Sequence, residues 1–78
     1  MTTYEKYKES FVNVLNLDPE VQVETLSYRD NGWDSVAHMV LMATFEEAFD
    51  IMLDTDDVID FSSFEKGKEI LKKYEVEL

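Results

Sequence analysis

The sequence predicts an all-α fold: a four-helix bundle of three longer helices and one short third helix, with a long loop between helices one and two. Three observations predict it. Apolar residues recur at the three-and-four spacing of an amphipathic helix near the start, in the middle and near the end of the chain. Helix-start residues, Thr2, Asp34-Ser35, Asp54-Thr55 and Ser62-Ser63, stand ahead of each apolar segment. Between the first two segments, Asp18 to Trp33 holds Pro19, Asp30-Asn31 and Gly32 and no sustained helical period.

Helix one follows Thr2-Thr3-Tyr4-Glu5, which has the form of a capping box. Tyr4, Tyr7, Phe11, Val14 and Leu15 share its inner face, and Glu5, Lys6, Lys8 and Glu9 take the other. The pattern stops at Asn16-Leu17-Asp18-Pro19, because proline disfavours helical geometry in the residue before it. The long loop is expected to be pinned over the helices by Val21, Val23, Leu26 and Tyr28, with Trp33 packed as part of that pinning.

Helix two is expected over Ser35 to Phe49. Val36, Met39, Val40, Met42, Ala43, Phe45 and Phe49 make a broad apolar surface, so this is the central helix, touching several elements at once. Met39 and Met42 read as gap-fillers in that packing. After Asp50, the acids of Asp54-Thr55-Asp56-Asp57 begin a short third helix with Val58, Ile59 and Phe61. Ser62-Ser63-Phe64-Glu65 offers a second capping box, and Phe64, Gly67, Ile70, Leu71 and Tyr74 form the inner face of the last helix.

With 78 residues the chain forms one domain, 1–78, in which about 60% of the unfolded surface is buried. A hydrophobic fraction of 45% with ten aromatic residues (five Phe, four Tyr, one Trp) argues for a folded core despite 32% charged residues. There is no cysteine, which excludes disulfides and thiolate metal sites and fits a reducing compartment. No apolar run of about 18 residues and no basic-then-apolar leader is visible, so the expected location is cytoplasmic, with no membrane span.

The net charge of −11 opposes nucleic acid, which would repel it, and favours a basic partner surface. Asp30, Asp34, Glu46, Glu47, Asp50, Asp54, Asp56, Asp57 and Asp60 fall in a stretch with no Lys or Arg; Lys6, Lys8, Arg29, Lys66, Lys68, Lys72 and Lys73 all lie outside it. The acids from Asp54 to Glu65 invite comparison with a calcium loop, but Ile59 stands where the sharp turn needs glycine and Val58 offers no side-chain oxygen. No metal site is expected.

Asp34 and Ser35 sit where helix two begins. Short oxygen-bearing side chains suit a helix cap, and a serine hydroxyl at the positive end of a helix dipole also suits a phosphate ester. Catalysis by Ser35 would need a base and an orienting group; His38, alone on the same helix, supplies neither and reads as a surface or partner-contact residue. No catalytic residue is assigned.

Gly32-x-Asp34-Ser35, an aliphatic residue, a helix ending in Phe45-Glu46-Glu47-Ala48-Phe49-Asp50-Ile51, a short acidic helix and Phe61-Ser62-Ser63-Phe64 together resemble the acyl carrier protein family across essentially the whole chain. The resemblance implies that Ser35 carries 4′-phosphopantetheine, transferred from coenzyme A by a phosphopantetheinyl transferase, with Asp34 helping to hold the transferase's metal. It implies a free-standing monomeric carrier, not an enzyme, that presents acyl or aminoacyl thioesters to loading and transferring enzymes with basic docking surfaces. Val36, His38, Met39, Glu46, Glu47, Asp56 and Asp57 are the expected partner contacts. Ala37 and Val40 stand where many fatty-acid carriers have acids, which points to a specialised pathway. The alternative is an unmodified acidic helical interaction module in which Ser35 is only a cap.

Overall fold

In the computed structural model, which describes residues 1–78, four helices and no strand are formed: α1 (Thr3–Leu15), α2 (Ser35–Phe49), α3 (Thr55–Asp60) and α4 (Phe64–Lys72). The Cα radius of gyration is 11.3 Å, close to the roughly 11.5 Å of a compact chain this long. No helix is long and apolar enough to cross a membrane.

Each boundary has a local cause. Thr2 Oγ1 accepts from the Glu5 N–H at 3.1 Å while Glu5 Oε1 accepts from the Thr2 N–H at 2.8 Å, the reciprocal box read from the sequence. With only two glycines in the chain, helix ends fall to other residues. Asn16 and Asp50 take left-handed conformations (φ 51° and 54°), and the next N–H reaches five residues back, Leu17 to Val12 O and Ile51 to Glu46 O. Glu75 and Val76 repeat the arrangement beyond α4.

The connection from α1 to α2 has more structure than its composition suggests. It holds two 3₁₀ turns, Val23–Thr25 and Asp30–Gly32. Val23 and Leu26 are buried, with Val21 and Tyr28 packed at the core's edge, as the pinning expectation requires. An isolated antiparallel bridge, Ser27 with Ser63, ties it to the start of α4: Tyr28 N–H donates to Ser62 O and Phe64 N–H to Leu26 O.

The core is aromatic. Tyr7, Phe11, Trp33, Phe45, Phe61 and Phe64 are all within 1% of full burial, and Tyr7 stands among Phe64, Phe45 and Phe11 at centroid distances of 4.7, 5.1 and 5.2 Å. The Tyr7 hydroxyl donates to Phe64 O at 2.7 Å, and burial pushes its phenol pKa up.

Two local expectations are corrected. Ser63, not Ser62, caps α4, accepting from the Lys66 N–H at 3.0 Å, so Glu65 has no reciprocal role there. The broad apolar surface of α2 is not all core: Leu41, Met42 and Phe45 are buried, whereas Val36, Met39 and Val40 are 73%, 60% and 49% exposed. Met42 fills the interior; Met39 does not. Of the three exposed residues, Met39 lines a cavity against α3, which is only six residues long.

Candidate functional site

The start of α2 is positioned by Trp33. Fully buried, the indole lies against Phe11, Tyr28 and Phe61 at 5.3, 6.2 and 6.3 Å, so the chain leaves the core at a fixed point. The turn before it is closed by Arg29 N–H to Trp33 O, with Arg29, Asn31 and Gly32 all at positive φ. Gly32 (φ 85°) suits that conformation; Arg29 (φ 88°) is strained in it.

Asp34, in extended conformation, is the N-cap: Oδ1 accepts from the Ala37 N–H at 2.9 Å. Ser35 is the first residue inside the helix and is exposed, and its hydroxyl takes no part in the cap. The capping task considered for Ser35 therefore belongs to its neighbour.

Beside Ser35 lies a cavity of about 370 Å³. Its walls are His38 and Met39 of α2, Val58 and Ile59 of α3, Tyr28 of the connection and Phe61 just beyond α3; Ser35 and Ser62 line it as well. A hydroxyl at the edge of an apolar cavity can carry a group whose chain lies along those walls.

The expected partner residues divide. Val36, Met39, Glu47 and Asp56 are exposed. His38, Glu46 and Asp57 are not free surface groups. His38 is half-buried, with Nδ1 3.0 Å from Trp33 Nε1 and Nε2 2.7 Å from Val58 O. Glu46 Oε2 accepts from the Leu53 N–H at 2.9 Å, holding the α2–α3 connection. Asp57 is buried, its carboxylate accepting from the Lys73 ammonium and the Tyr74 hydroxyl; these bonds hold it below the ordinary aspartate range, and the same pair pushes Lys73 up. Bonds to residues outside the side chain's own helix decided all three cases, and for Glu46 and Asp57 no local pattern signals them. The partial signal was Trp33 and His38 flanking the helix start at a spacing of one turn and a half.

Both His38 nitrogens are committed, so neither activates Ser35. No three His, Cys, Asp or Glu side chains converge as metal ligands. Asp30, Asp34, Glu47, Asp50, Asp54, Asp56 and Asp60 are exposed, leaving this half of the surface strongly negative. Comparison with protein-family models, with curated proteins and with solved structures found no match.

Proposed function

We propose that this chain is a carrier protein of the acyl carrier type, its four helices arranged as a bundle with a long first loop, and that Ser35 bears 4′-phosphopantetheine. The observation that carries the reading is the Ser35 hydroxyl: exposed, released from capping by Asp34, in the first turn of a 15-residue helix and beside an apolar cavity.

The residues present fit the group. The first-turn N–H groups and the helix dipole favour a phosphodiester on Ser35, and the apolar walls offer an aliphatic arm or cargo a place out of water. When bound, the arm supplies a thiol that holds cargo as a thioester, which a chain without cysteine does not itself possess. For attachment, the Ser35 hydroxyl would give its proton to the transferase and bond to the pantetheine-side phosphorus of coenzyme A as the anhydride bond breaks and adenosine 3′,5′-bisphosphate leaves. Asp34 keeps the first turn formed through Ala37 and has a second carboxylate oxygen to offer the transferase's metal. The chain supplies no base of its own, which fits a substrate of other enzymes in the cytoplasm. Partners with basic docking surfaces suit the exposed acids, Glu47 and Asp56 among them.

Incubating the chain with coenzyme A and a broad-specificity phosphopantetheinyl transferase, followed by intact-mass measurement, tests this. The expected result is a gain of one phosphopantetheine that is absent in Ser35→Ala. No gain, or a gain that survives in Ser35→Ala, leaves the unmodified interaction module as the better reading.

A further inference from the structure

Tryptophan Nε1 is a donor only, so His38 Nδ1, 3.0 Å from it, must be the acceptor. The hydrogen then sits on Nε2, which donates to the Val58 carbonyl at 2.7 Å. One tautomer in one charge state makes both bonds. A second proton would go onto Nδ1 and set N–H against N–H, so the indole bond and the ring position that reaches Val58 cannot both persist.

What the ring holds is marginal without it. At six residues, α3 is shorter than a helix that stands alone in water, and its N-cap, Asp54, makes no side-chain cap bond. It is tied near its start by the Asp54 N–H to the Tyr74 hydroxyl and by Asp57 to Lys73 and Tyr74. Towards its end the side-chain tie is His38 on Val58, and that end, with Ile59 and Phe61, forms one wall of the cavity beside Ser35.

Uncharged rings surround the imidazole: Tyr28 at 5.7 Å, Trp33 at 6.0 Å and Phe61 at 6.2 Å. The charged groups of the packed elements are engaged elsewhere or exposed. Asp34 caps Ala37, Asp30 accepts from Ser27, Arg29 lies over the Tyr28 ring, Asp57 is held by Lys73, and Asp56 and Asp60 are exposed. None makes an ion pair with His38 that would compensate a second proton.

We infer that His38 is a proton-operated latch: neutral, it holds the end of α3 against the start of α2; protonated on Nδ1, it loses the Trp33 bond, is pushed from the position in which Nε2 reaches Val58, and loosens the wall of the cavity. That this governs the access of an arm to the cavity rests on the carrier reading; the latch itself does not.

The test uses the unmodified full chain, whose sole tryptophan is the reporter. As pH is lowered from neutrality, the emission of Trp33 is expected to change in a one-proton step. Across that step, exchange of the Phe61 amide, corrected for its intrinsic pH dependence, speeds roughly tenfold, as loss of one hydrogen bond predicts. His38→Gln, which can accept and donate but does not titrate, shows neither change. Imidazole nitrogen shifts of the wild-type chain at neutral pH report the Nε2–H tautomer and stand even if the variant does not fold. An Nδ1–H tautomer, a step that survives in His38→Gln, or an α3 protected equally on both sides of the step overturns the latch. None of these readouts depends on Ser35, so the latch and the carrier assignment fail separately.

Discussion

Gly67 shows how one missing side chain sets the packing of the core. A Cβ built on it falls inside van der Waals contact with the Tyr7 hydroxyl and two atoms of the Phe61 ring. Neither neighbour can step aside: Tyr7 and Phe61 are within 1% of full burial, and the hydroxyl is bonded to Phe64 O. Alanine would favour the helix by about 1 kcal/mol over glycine, but forcing two buried rings apart costs about 1–3 kcal/mol or more. Gly67→Ala is therefore expected to lower the thermal midpoint by several degrees, on the scale of roughly 4–8 °C per kcal/mol. A midpoint equal to or above wild type would mean that the rings repack freely. The inner-face position of Gly67 is legible in the spacing of Phe64, Gly67, Ile70 and Leu71, whereas the reason for glycine is not, since it lies in residues 60 and six positions away. Ser35 stands at the opposite extreme: its place at a helix start is local and readable, and so is the rival claim of Asp34 to the cap.

At the scale of elements, α3 shows what patterning misses. Its existence and extent follow from acids in the first turn and a brief apolar run, but what holds it comes from α2 and from the end of α4. Asp57, expected at a partner surface, is instead the anchor to Lys73 and Tyr74. Because those bonds are made to the carboxylate, its pKa is lower folded than unfolded. The unfolded chain thus takes up the proton first as pH falls, and stability is lost. The contribution is complete above about pH 5, where an unfolded aspartate is almost fully ionised, and disappears as pH drops through the lowered folded value. Asp57→Asn is expected to reduce the thermal midpoint at neutral pH, and the gap to wild type should close on acidification below about pH 4. A gap that stays constant would show that the anchor does not depend on the carboxylate's charge. Glu46 and His38 were hidden for the same reason as Asp57: each bonds across a connection whose path depends on the finished packing. For α2, the helix itself was readable, but with apolar residues spread around most of it, periodicity alone could not separate those facing the core from those facing solvent.

Across the whole molecule the governing feature is unbalanced charge. With −11 on 78 residues and only three ion pairs, Lys8–Glu24, Lys68–Glu65 and Lys73–Asp57, most carboxylates have no cation beside them. Folding brings the exposed acids of α2, α3 and their connection onto a body 30 × 27 × 18 Å in extent, where many lie within a Debye length of one another at low salt. The compact state therefore bears a self-repulsion that the expanded chain relieves. Raising sodium chloride from about 10 mM to about 0.5 M shortens the screening length from about 30 Å to a few ångströms, so the thermal midpoint should rise even though the three ion pairs weaken. A double variant, Glu47→Gln with Asp50→Asn, removes two exposed charges that make no side-chain hydrogen bond or ion pair and lie away from the Asp57 anchor. It should melt above wild type at low salt and converge with it at high salt. A midpoint that falls with salt, or a variant that gains nothing at low salt, would place the ion pairs above the repulsion. The same reasoning explains why composition alone was a sound guide to the surface: the sign of the charge survives folding unchanged, whereas the task of any one carboxylate does not.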